Sequence, residues 1–168
     1  MNLYMLRHGV AVDRDPKSFP NDALRPLTLK GEDRVRLVAE AMRALELDFD
    51  VILSSPFLRA RQTAELVAVE LASRRILQIN EALVPTGDPR VLLRHITRMK
   101  PAPENVLLVG HEPYLSELVS VLISGSPDAA IDLKKNGLAR LETTQRLKYG
   151  RCATLNWLLT PRQLALLT

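Results

Sequence analysis

Asn2-Leu3-Tyr4-Met5-Leu6-Arg7-His8-Gly9 opens the chain with a short, mostly apolar run that stops abruptly at a cation, an imidazole and a glycine. A run of this length with such a boundary reads as a buried strand, and open α/β sheets keep their crevice at the carboxyl ends of their strands. Arg7 and His8 therefore stand where chemistry is expected. The same pattern recurs downstream, with Asp50 to Ser54, Ile76 to Ile79 and Asn105 to Val109 as further strands. The last of these runs directly into Gly110-His111-Glu112-Pro113, so a second histidine also closes a strand.

Helical periodicity fills the intervals. Val35, Val38, Met42 and Leu45 recur at three and four after the first strand, and Ala60, Ala64, Val67 and Leu71 do so after the second. Val91, Leu92, His95, Ile96 and Met99 share one side of a third helix, in which His95 reads as structural or exposed, and Leu115, Leu118, Val119 and Leu122 mark a fourth. Ser55-Pro56 and Asp88-Pro89 read as N-cap serine or aspartate with proline at N1, and Pro113 as the N1 proline of the fourth helix. Val10 to Pro26 carries Asp13, Asp15, Asp22 and two further prolines without any apolar period, which predicts a long loop. Near the carboxyl end, Leu138 to Glu142 and Thr154 to Leu159 read as strands, with Lys134, Lys135, Asn136 and Gly137 as a basic turn and Arg162 to Leu167 as a short closing helix. Alternating strands and helices predict the α/β class, a three-layer α/β/α domain around a mostly parallel central sheet.

The chain has 168 residues, enough for one domain spanning 1–168 that needs no staples. Its single cysteine, Cys152, excludes an internal disulfide, fits a reducing compartment and reads as incidental. No basic segment followed by an apolar one starts the chain, and no apolar run approaches the ~18 residues of a spanning helix. A soluble, cytoplasmic protein without a membrane partner is expected. Acidic and basic residues are interspersed, so a net charge of +4 does not by itself imply a nucleic-acid partner, and none is expected. Neither a dinucleotide fingerprint nor a phosphate-cradling P-loop occurs, and three histidines with no neighbouring cysteine do not make a zinc site. No metal or other cofactor is expected.

Four blocks carry a family resemblance. Arg7-His8-Gly9 after an N-terminal strand resembles the signature of the histidine phosphatase superfamily, and Arg25-Pro26-Leu27-Thr28 with Gly31 resembles the second block of its short, SixA-type branch. Ser55-Pro56-Phe57-Leu58-Arg59-Ala60-Arg61-Gln62-Thr63-Ala64 is similar nearly throughout to the superfamily's Ser-x-x-x-Arg-Ala-x-Gln-Thr-Ala block, and Gly110-His111-Glu112-Pro113 to its second-histidine block. The resemblance implies the phosphoglycerate mutase-like fold and a phosphatase that works through a covalent phosphohistidine on His8. It implies Arg7, Arg25, Arg59 and His111 as the phosphate ligands, with Arg7, His8, Arg59 and His111 catalytic and Arg61 at a variable, exposed position.

A cation near a helix start is easier to explain beside an anion, and helix N-termini and guanidinium forks both suit phosphate. The general acid that the larger members carry in the loop after the third strand has no complete counterpart here. Glu81 and Asp88 are the two candidates, Asp88 being also a helix cap. A phosphohistidine on a protein, whose imidazole leaves without help, is the expected substrate. A small phosphoester, a nucleotide phosphate, or a non-catalytic phosphate-binding module are the alternatives.

Overall fold

The computed structural model describes residues 1–72, 76–143 and 145–168. Its centre is a mixed sheet of six strands in the order β3-β2-β4-β1-β5-β6. These are β1 (Asn2–Arg7), β2 (Val51–Ser54), β3 (Leu77–Ile79), β4 (Asn105–Gly110), β5 (Leu138–Thr143) and β6 (Ala153–Leu159). β1 pairs parallel with β4, β4 with β2, and β2 with β3, while β5 runs antiparallel between β1 and β6. The predicted strands are all present, each within a residue or two of its expected bounds.

Side chains on the central strands alternate between two cores. Leu3, Met5, Val51, Leu53, Val106 and Leu108 pack with Leu92, Leu93 and Ile96 of α3 (Pro89–Arg98) and with Leu115, Leu118 and Leu122 of α4 (Tyr114–Ser124). Tyr4, Leu6, Ile52, Leu107 and Val109 face the other way, against Val35, Val38 and Met42 of α1 (Leu29–Ala44) and Ala60, Ala64 and Val67 of α2 (Leu58–Glu70). A sheet buried on both faces explains why these strands read as continuous apolar runs. It also makes the predicted three layers. A short α5 (Pro161–Leu164), closed by a capping box between Thr160 and Gln163, buries Leu164 in the second core.

Three local expectations are corrected. α2 starts at Leu58 with Phe57 as its cap residue, so Ser55 and Pro56 precede the helix and do not cap it. Val91 is exposed and Leu93 is buried in its stead, so the α3 core face is Leu92, Leu93 and Ile96; His95 lies on the exposed side. Pro113 is the cap residue of α4, one position earlier than expected. Asp88 does cap α3, accepting from the Arg90 N–H at 2.8 Å ahead of Pro89.

Candidate active site

Strand register assembles the site. Arg7 of β1 lies opposite Gly110 of β4, and Ser54 of β2 opposite Val109, so the residues that follow these strands emerge side by side at one edge. His8 N–H donates to the Gly110 carbonyl at 3.0 Å and Ser55 N–H to the Val109 carbonyl at 3.0 Å. His8, His111 and Ser55 are thereby neighbours although more than a hundred positions separate the first from the second. The two imidazole rings lie 5.0 Å apart, and the Phe57 ring packs at 5.1 Å against His111.

His8 is held through its backbone neighbour. Nδ1 lies 2.7 Å from the Gly9 carbonyl, which as an acceptor fixes the proton on Nδ1 and leaves a lone pair on Nε2. Burial above all, then the charges of Arg59, Arg7 and Lys135, outweigh the Gly9 bond and lower the pKa of His8 from 6.5 to about 3. The ring is neutral at physiological pH. Gly9 is itself pinned, since its N–H donates to Thr63 Oγ1 at 3.0 Å while the Thr63 hydroxyl donates to the Arg59 carbonyl at 2.7 Å. A Cβ on Gly9 would meet Val35 Cγ2 at 2.8 Å, so the position has no room for another residue.

Arg59 stands in the first turn of α2 and is 4 % exposed. Its Nε–H donates to His8 Nε2 at 3.2 Å, its Nη1 to the Asp22 carbonyl at 2.9 Å and its Nη2 to Asp22 Oδ2 at 3.0 Å. Asp22 belongs to a single 3₁₀ turn, Asp22–Leu24, within the predicted loop. Its other oxygen takes Arg25 Nε at 2.7 Å, and Arg25 Nη1 reaches the Val12 carbonyl at 2.6 Å. Arg25 thus joins the site through Asp22, with no hydrogen bond to either histidine. Burial alone would raise the Asp22 pKa, but the hydrogen bond from Arg25 and the charges of both arginines hold it below the ordinary carboxylate value.

His111 Nε2 is 2.8 Å from Ser55 Oγ, and its buried Nδ1 has no hydrogen-bond partner among the described residues. Burial, His8 and Arg59 lower its pKa to about 3. Arg7 donates from Nη1 to the Leu133 carbonyl at 3.0 Å, leaving a buried Nε unpaired. Two polar atoms without partners among the described residues, beside a neutral imidazole, are places for the oxygens of an anion. Arg61 is exposed and pairs with Glu65 at 2.9 Å, as its variable position implied.

The two candidate acids are not joined to this cluster by hydrogen bonds among the described residues. Glu81 is exposed at the start of the 3₁₀ turn Glu81–Leu83, and Asp88 is engaged as the α3 cap; among the described residues neither bonds to Arg7, His8, Arg59 or His111. The carboxylate that does reach the site is Asp22, which a polar loop gives no periodic signal for. Its one sequence trace is its place three residues before Arg25, an ion-pairing distance in a helical turn. Glu112, which has no sequence signal beyond its place after His111, is a further carboxylate at this strand end. Its carboxylate accepts from Ser116 N–H at 3.1 Å, and burial raises its pKa.

Two remaining motif residues tie the blocks together. Gln62 Oε1 accepts from Leu27 N–H at 2.8 Å, joining α2 to the Arg25-Pro26-Leu27-Thr28 segment. A Cβ on Gly31 would stand 2.0 Å from the Val10 carbonyl, which accepts from Thr28 N–H at 2.9 Å; only glycine lets α1 approach the strand-exit loop so closely.

The model of the histidine phosphatase superfamily (branch 1) matches residues 3–83, a span that contains His8, Arg25 and Arg59. An uncharacterized protein of Picosynechococcus sp. is 42% identical over 85% of this chain and 86% of its own length. The phosphohistidine phosphatase SixA of Escherichia coli is 27% identical over 96% of this chain and 94% of its own. The chain belongs to the histidine phosphatase superfamily. Among solved structures of the superfamily, that of the protein histidine phosphatase SixA complexed with tungstate superposes with a TM-score of 0.81 at 28% identity, covering 98% of this chain and 99% of that one. The predicted fold is therefore the observed one. Among the described residues, no helix is long and apolar enough to cross a membrane.

Proposed function

We propose that this histidine phosphatase hydrolyses phosphohistidine on a protein through a covalent phosphohistidine on His8. The observation that carries the reading is the pairing of a neutral His8, whose Nε2 lone pair is directed by the Nδ1 contact to Gly9, with Arg59 Nε–H at 3.2 Å from that same nitrogen. When a phosphoryl group enters, the guanidinium passes from Nε2 to the phosphoryl oxygens, and Nε2 attacks in line. Arg7, Arg59 and the Nδ1–H of His111 stabilise the charge spread over the equatorial oxygens, which is most of what phosphoryl transfer asks of a protein. Ser55 Oγ accepts from Phe57 N–H at 3.3 Å, which leaves its own hydrogen for His111 Nε2; with Ser55 donating there, His111 carries its proton on Nδ1. Water then discharges the phosphoenzyme, so that one hard step becomes two. Arg25 supports the clamp by holding Asp22.

The leaving group follows from the carboxylates. Asp22 is held ionised by two arginines and has no proton to give. An imidazole whose second ring nitrogen carries a proton, with a conjugate-acid pKa near roughly 6.5, departs as the neutral ring without a proton delivered to the breaking bond, whereas an alkoxide needs one. The similarity to a phosphohistidine phosphatase supports the same substrate class. A second reading, a small phosphoester as substrate, rests on Glu112, whose carboxyl is kept protonated to higher pH by burial and follows His111 directly.

A side-by-side assay of a phosphohistidine protein and a set of small phosphoesters separates the two. Preference for the phosphoprotein by on the order of 10²-fold or more in kcat/KM, insensitive to Glu112→Gln, supports the first reading. Preference for phosphoesters with loss on Glu112→Gln supports the second. Phosphate binding without turnover of either marks a non-catalytic module and ends both.

A further inference from the structure

We propose that Asp22 is the general base that activates water for hydrolysis of the phosphoenzyme. The inference rests on His8 as the nucleophile and assigns the step that releases phosphate. One guanidinium, that of Arg59, donates from Nε to His8 Nε2 at 3.2 Å and from Nη2 to Asp22 Oδ2 at 3.0 Å, so the carboxylate stands across a single planar group from the reacting nitrogen. The Asp22 side chain is 33% exposed where that of Arg59 is 5% exposed, which makes Asp22 the outermost of the three and the first to meet solvent.

A base must be ionised before the step and free to take a proton during it. Arg25 and Arg59 hold the Asp22 carboxylate ionised, and its charge bears on His111 as well. Once Arg59 turns to the phosphoryl oxygens, Oδ2 loses its Nη2 partner and keeps a lone pair for water, while Oδ1 stays anchored by Arg25 at 2.7 Å. Water oxygen then bonds to phosphorus as the phosphorus–Nε2 bond breaks. The electron pair of that bond returns to Nε2, the water proton passes to Asp22, and inorganic phosphate leaves; Asp22 gives the proton to solvent. Among the described residues Glu81 and Asp88 make no hydrogen bond to the clamp, Asp88 being engaged as the α3 cap, and the Glu112 carboxylate is engaged by the Ser116 N–H of α4.

The test uses phosphoramidate as a small N-phosphoryl donor and rapid quench to follow label on His8 in the whole protein. Asp22→Asn keeps one acceptor oxygen, for Arg25 Nε or for Arg59 Nη2 but not for both, and cannot accept the proton. Label should form within about threefold of the wild-type rate and decay on the order of 10² times more slowly, the scale of general base catalysis. Asp22→Ser, lacking both charge and reach, should show the same split. Pyridine, a nucleophile with no proton to lose, should discharge wild-type and Asp22→Asn phosphoenzymes equally fast. If label forms slowly in Asp22→Asn and then decays at the wild-type rate, Asp22 only positions Arg59 and the base assignment fails. Pyridine discharge slowed as much as discharge by water would overturn it too. Absence of label on His8 in the wild-type protein removes the nucleophile assignment together with this one.

Discussion

Arg59 Nε lies 3.2 Å from His8 Nε2 and donates its hydrogen to the nitrogen proposed to attack phosphorus. On the proposed mechanism nucleophile and clamp are in register before substrate arrives, with the Nε2 lone pair held by Arg59. Arg59→Ala should lower kcat by on the order of 10²-fold or more, because its contacts strengthen as charge develops on the phosphoryl oxygens. Arg59→Lys should recover little, since an ammonium cannot hold His8 and Asp22 at once. Arg61→Ala, two positions on and exposed, should change kcat by less than about twofold in parallel steady-state assays; equal losses at the two positions would count against the clamp.

Both site histidines bind protons far less readily in the folded chain, with pKa values lowered from 6.5 to about 3 chiefly by burial. Between those values the unfolded chain takes up more protons than the native one, so stability falls as pH drops through 6.5 towards 3. Urea unfolding at several pH values should show this loss, and it should be smaller in His8→Ala and in His111→Ala. Turnover should not fall through protonation of His8 itself until the pH nears 3.

Thr63 links nucleophile and clamp, accepting from Gly9 N–H at 3.0 Å and donating to the Arg59 carbonyl at 2.7 Å. Thr63→Val keeps the shape and leaves a buried N–H unpaired, at a cost of about 1–3 kcal/mol. Denaturation should report that loss. Activity should fall as well, because the Gly9 carbonyl orients His8, and restoration of activity without stability by Thr63→Ser would point to a different link.

Neither loop carboxylate first considered as an acid should matter to phosphohistidine turnover. Glu81→Gln and Asp88→Asn should each retain activity within about tenfold, well short of the loss of a general acid. Asp88→Ala should instead cost about 1 kcal/mol in thermal or urea unfolding through loss of the α3 cap.

Most of the fold could be read from the sequence because the sheet is buried on both faces, which leaves long apolar runs at Asn105–Gly110 and Asn2–Arg7 that no helix mimics. His8 and His111 were legible for the same reason, each being the first polar ring after such a run. Asp22 was not. A carboxylate in an aperiodic loop acquires its role only from three-dimensional neighbours, here Arg59 from a segment 37 positions away. Ser55 shows the opposite error, for its hydroxyl looks like a helix cap in sequence while in space it meets His111 and the Phe57 N–H at 3.3 Å. Arg25 stands in a motif block that implies a phosphate ligand, and its contacts to Asp22 and to the Val12 carbonyl are ones that local pattern does not reveal.

The central claim is that His8 carries the phosphoryl group, and rapid-quench labelling with phosphoramidate followed by peptide mass spectrometry tests it most directly. An acid-labile, base-stable phosphoryl adduct should map to His8 in the wild-type protein and disappear in His8→Ala together with turnover, while phosphate binding persists. Turnover retained in His8→Ala, or the adduct found at His111, would contradict the account.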